Sequence, residues 1–142
     1  SHEPQLSKVE DELIQFLYTL SQNPPPEKVF VWSRSFNNFS GRQGDPVQVF
    51  LRDRNHFRFQ ILSETSRRKL HPDKPSIVIL EKTSAPETGN LRHDEEVLRL
   101  YKQNQFIEKE LERIPEKKLL PDYLPLLEVW YWPPDLFSTP DN

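Results

Sequence analysis

The chain has 142 residues, of which 35% are apolar, 11% aromatic and 29% charged, and its net charge is −3. That length suits one ordinary domain. A core drawn from so few apolar residues must use large ones, and aromatics bury on the order of 150–250 Å² each. The absence of cysteine excludes disulfides, a thiol nucleophile and thiolate-ligated zinc. No stretch reaches the ~18 apolar residues of a membrane span, and no signal peptide is recognisable. There is no methionine either, and the opening Ser1-His2 suggests the remnant of a cleaved tag, so an excised fragment with an intracellular location is expected.

The charge is unevenly distributed. Residues 1–28 carry two basic and five acidic groups, residues 29–83 ten basic and five acidic, and residues 84–142 seven basic and twelve acidic. A basic middle between acidic flanks is the most informative charge feature of the sequence.

Residues 7–22 read as a helix. Ser7 and Glu10 match a capping box, and Val9, Leu13, Phe16, Leu17 and Leu20 form one apolar stripe. Pro24, Pro25 and Pro26 end it, because proline lacks the amide donor and restricts its predecessor. Lys28 to Trp32 is β-branched and aromatic and predicts a strand running as far as Phe36. Residues 37–46 hold glycine, asparagine and proline and read as a loop.

Residues 47–62 alternate like a hairpin. Val47, Val49 and Leu51 share a face with Phe57, Phe59 and Ile61 if Leu51 lies opposite Phe57, leaving Asp53-Arg54-Asn55 as the turn. SIVILEK, residues 76–82, predicts a strand apolar enough to be central. Asp94 is placed to cap a second helix over 95–114, with Val97, Leu100, Ile107, Leu111 and Ile114 on its apolar stripe and Asn104 interrupting it. Leu127 to Trp132 has the composition of a last strand, completing a core otherwise short of material. The expected architecture is a single α+β domain over residues 1–134. It has a largely antiparallel sheet of about five strands, two amphipathic helices on one face, and a flexible tail over 135–142.

Motifs for chemistry are sparse. His71-Pro72-Asp73-Lys74 resembles the signature of the J domain of chaperone co-factors, where those residues join two antiparallel helices. Here a strand pattern follows, so a proline-rich turn is expected. Gly41-Arg42-Gln43-Gly44 is similar to the loop of KH-type RNA binders, but DPVQVFL after it reads as a strand. His2, His56, His71 and His93 are scattered, with no metal-ligand spacing, so no metal and no cofactor are expected. No nucleophile elbow appears, and the paired carboxylates Asp11/Glu12 and Glu95/Glu96 read as solvated helix faces.

Two surfaces emerge as candidates. One is basic: Arg52, Arg54, His56 and Arg58 near the hairpin turn, with Phe50 between them and Arg67, Arg68 and Lys69 extending the positive region. Arginine supplies phosphate contacts and an aromatic side chain can stack a base. The other is the apolar C-terminus, where Trp130, Trp132 and Phe137 would anchor a docking peptide if 127–132 were not a strand. Together these features predict a non-catalytic protein-interaction domain with a protein partner. Nucleic-acid binding by the basic hairpin face is the alternative.

Overall fold

The computed structural model describes residues 5–33, 55–62, 69–82 and 91–137. In chain order these form helix α1 (Gln5–Gln22), strands β1 (Val29–Ser33), β2 (Phe57–Ile61) and β3 (Ser76–Glu81), helix α2 (Leu91–Leu111), and strands β4 (Lys118–Leu119) and β5 (Leu127–Trp132). The fold is α+β, built on a five-stranded sheet of order β2-β1-β3-β5-β4.

The sheet is mixed, which corrects the expectation of a largely antiparallel one. β1 runs parallel to both its neighbours, pairing Val29 with Phe57 on one side and Phe30 with Ser76 on the other. β3 and β5 are antiparallel from Ser76↔Trp132 to Glu81↔Leu127, and β4 joins β5 antiparallel through Leu119↔Trp130. The proposed hairpin partner of β2, residues 47–52, lies outside the described residues. Among those described, β2 takes β1 as its neighbour, and a parallel neighbour requires a long crossover rather than a tight turn.

The helices lie on opposite faces of the sheet, a second correction. Successive strand residues point to opposite sides, and the core divides accordingly. On one side Val9, Leu13, Phe16, Leu17 and Leu20 of α1 pack with Val29 and Val31, Phe57, Ile77 and Ile79, and Leu127 and Val129. On the other, Ile107 and Leu111 of α2 and Ile114 just beyond it pack with Trp32, Leu62, Val78, Leu80 and Trp132. This explains why β3 is apolar at consecutive positions: Ser76 to Leu80 are all buried, since both faces are covered.

Helix ends depart modestly from the sequence reading. α1 begins at Gln5, so Ser7 lies inside the helix rather than capping it. α2 begins at Leu91, placing Asp94 in its first turn, and closes at Leu111. A tight turn follows, in which the Ile114 amide donates to the Leu111 carbonyl at 2.9 Å. Glu12, expected on a solvated face, instead accepts the Leu126 amide at 2.9 Å and ties α1 to the segment entering β5. The packed chain runs past the anticipated limit at Pro134: Leu136 is only 8% exposed and belongs to the α1-side core. The Trp132–Pro133 peptide bond is cis.

Candidate functional site

Of the predicted basic face, Phe50, Arg52, Arg54, Arg67 and Arg68 lie outside the described residues. His56, Arg58 and Lys69 are described. His56 precedes β2, and its ring meets Phe57 at 6.1 Å between centroids. Its carbonyl accepts the Val29 amide at 2.8 Å, so β1 begins where His56 ends. Arg58 and Lys69 are exposed.

The sheet brings Arg58 to a partner that sequence reading missed. The parallel register sets Arg58 beside Phe30, and the guanidinium carbon stands 5.6 Å from the centre of that ring. Lys74 comes to the same ring, with its ammonium nitrogen 5.7 Å from the centroid. A half-buried aromatic with two cations within about 6 Å is a favourable quadrupole arrangement. Phe30 and Arg58 are 28 residues apart in sequence, so no local pattern announces the contact.

Lys74 belongs to the His-Pro-Asp-Lys stretch, which forms a turn leading into β3, not a link between helices. The Lys74 amide donates to the His71 carbonyl at 3.3 Å, and the Ser76 hydroxyl donates to the Lys74 carbonyl at 2.8 Å. The His71 carbonyl also accepts the indole N–H of Trp132 at 2.9 Å, fastening the turn to the end of β5.

The three anchors expected in the C-terminal stretch, Trp130, Trp132 and Phe137, have different situations. Trp132 is 1% exposed and lies in the α2-side core. Trp130 is half-buried on the same sheet face, where its indole N–H donates to a Glu128 carboxylate oxygen at 2.6 Å. The Lys117 ammonium stands 5.7 Å from the Trp130 ring. Phe137 packs edge-on against Tyr131, with centroids 4.8 Å apart.

Beside Trp130 the sheet ends. β4 is only Lys118 and Leu119, both exposed, with Leu119 at 49% and nearby Tyr123 at 59%. The Leu120 amide donates to the Val129 carbonyl at 2.9 Å, so Leu120 and Val129 form a hydrogen-bonded pair. Alternation along an antiparallel ladder then makes Leu119–Trp130 a non-hydrogen-bonded pair, turning the Leu119 N–H and C=O away from β5. Among the described residues this edge has no further strand neighbour, and it carries an exposed leucine preceded by Lys117 and Lys118. On the loop that follows, Asp122 pairs with Lys82, joining it to the end of β3.

Acidic groups of α2 and β5 come close to one another. Glu108 has its carboxyl pushed above the ordinary value of 4.5, first by burial and then by repulsion from Glu128 and Glu112. Among the described residues, no three His, Asp or Glu side chains converge as metal ligands would. Nor is any helix there long and apolar enough to cross a membrane.

Two polar side-chain atoms near the carboxyl end of β1, the indole nitrogen of Trp32 and the hydroxyl of Ser33, are buried without a hydrogen-bond partner among the described residues. A buried polar group left unpaired costs about 1–3 kcal/mol, so such a position calls for an explanation. Asn104, which interrupts the apolar stripe of α2, has one: its amide donates to the Glu81 carbonyl at 2.5 Å, satisfying the end of β3. No family model, no curated protein and no solved structure matches this chain.

Proposed function

We propose that this domain is a non-catalytic protein-interaction module, and that it receives an extended segment of its partner along the open edge of β4. The observation that carries the reading is Leu119: an exposed apolar side chain on an edge strand whose backbone groups face outward. Strand addition uses those backbone groups for affinity and alternate side chains for specificity. The neighbouring surface defines the segment. Leu119 and Trp130 offer an apolar seat, and Lys117 and Lys118 favour acidic residues beside it.

Leu119→Pro is the informative variant. It removes the outward donor, while proline is tolerated on an edge strand where the N–H faces solvent. A library of extended peptides selected on the domain is expected to enrich alternating apolar and acidic residues. Leu119→Pro should weaken the selected peptide at least roughly tenfold, with the melting temperature kept. Equal binding by the proline variant, or enrichment of no such pattern, refutes the edge as the docking site.

A second reading has its own support in the Phe30 corner. Arg58 and Lys74 over one aromatic ring suit a nucleic-acid strand, with phosphate on the cations and a base near the ring. Binding of single-stranded RNA that falls with salt, and is lost in Arg58→Glu/Lys74→Glu, is the expected result. Unchanged binding in that double variant eliminates this reading.

A further inference from the structure

The edge of β4 is short, and the sequence around it sets which way a partner can extend. Outward backbone groups recur at every second residue of an antiparallel strand. Leu119 carries such a pair, and the next position of that parity is Pro121, which has no N–H. The chain turns there, since the Tyr123 amide donates to the Pro121 carbonyl at 2.8 Å. Pairing is therefore closed beyond Leu119, and a partner strand extends from it toward Lys118 and Lys117.

Side chains along this run alternate between the two faces of the sheet. Leu119 stands beside Trp130 on the α2 side, and Lys118 beside Tyr131 on the α1 side. The Lys117 ammonium returns to the α2 side, 5.7 Å from the Trp130 ring, and donates to the Ile114 carbonyl at 3.2 Å. Lys118 is exposed, and its ammonium has no ion-pair partner among the described residues.

Given the β4 edge as the docking site, on which this inference rests, we propose that the partner segment runs antiparallel to β4. It places an apolar residue opposite Leu119 and acidic residues directly C-terminal to that residue. An antiparallel partner returns both hydrogen bonds of Leu119 from a single residue. A parallel partner would need the residues on both sides of that position, one of them next to the turn at Pro121. In the antiparallel direction, the chain after the apolar residue passes Lys118 and then Lys117. An acidic residue opposite Lys118 makes a favourable cross-strand charge pair, and the one after it is carried toward Lys117. A second copy of this chain is the poorer occupant, because its own edge, residues 117–120, reads Lys-Lys-Leu-Leu and offers no acid.

The test is fluorescence anisotropy of two labelled peptides of identical composition, TTVEETT and TTEEVTT, titrated with the full chain. TTVEETT is expected to bind about fivefold tighter, the worth of one or two exposed charge pairs. Lys118→Glu should abolish that preference without moving the melting temperature, because Lys118 is exposed. Tighter binding of TTEEVTT overturns the antiparallel direction and leaves the edge as the docking site. So does equal binding of the two peptides that still falls in Leu119→Pro. A preference for TTVEETT that survives Lys118→Glu overturns the pairing with Lys118. Binding of neither peptide, or binding that Leu119→Pro leaves intact, overturns both this proposal and the edge reading. Self-association of the chain that Leu119→Pro abolishes gives the edge to a second copy and overturns the acidic partner.

Discussion

Ending the chain at Lys118 removes half of β4 and all of β5, the antiparallel neighbour of β3. Five buried side chains go: Leu124, Leu127, Val129, Trp132 and Leu136. Burial of each is worth about 1.5–3 kcal/mol, giving a loss of roughly 7–15 kcal/mol, an upper figure because unfolded chains already bury some apolar surface. Whole-domain stability is only about 5–15 kcal/mol. The shortened chain is therefore expected to be mostly unfolded and to lose its cooperative transition in circular dichroism. A chain ending at Pro134 is the graded comparison. It keeps both strands but loses Leu136, costing about 1.5–3 kcal/mol and lowering the midpoint by about 5–10 °C. The reasoning is refuted if the Lys118-terminated chain melts cooperatively at the full-length temperature.

Leu17 of α1 is fully buried, so Leu17→Ala is expected to cost about 2–5 kcal/mol by urea denaturation. Exposed Thr19→Ala two residues away should stay within about 0.5 kcal/mol, and equal effects would contradict the placement of the α1 face. Glu108 supplies a pH-dependent test. Its folded pKa is raised, so the folded chain holds that proton more tightly than the unfolded one. The resulting penalty is present above the raised pKa and is relieved as pH falls toward 4.5. Glu108→Gln should thus stabilise at neutral pH, with the gain shrinking as pH is lowered through that window; a gain that grows on acidification would be the wrong sign.

The sequence by itself determined the elements whose signals are local. The α1 stripe of Val9, Leu13, Phe16, Leu17 and Leu20 is buried in full, since a 3.6-residue period needs no knowledge of what it packs against. β3 and β5 were legible from short β-branched and aromatic runs, and Phe57 and Phe59 fall on the α1 side of the sheet as their alternation required. One signal also pointed to the layer arrangement. Consecutive apolar residues over Ile77 to Leu80 mean a strand covered on both faces, which two helices on one face do not provide. β4 had no legible signal, because Lys118-Leu119 is too short for periodicity and is a strand only because β5 lies beside it.

Only the tertiary structure decided the strand order, the parallel pairing of β1 with β2 and β3, and the convergence of distant residues. Backbone pairing is chemically the same for any two strands, so a strand's neighbours are selected by global packing rather than by its own residues. Phe30 therefore meets Arg58 and Lys74 through register alone. Asn104 looks like a flaw in an apolar stripe until the end of β3 is placed beneath it. Ser33 is an ordinary serine in sequence; only the packing buries its hydroxyl, which has no partner among the described residues.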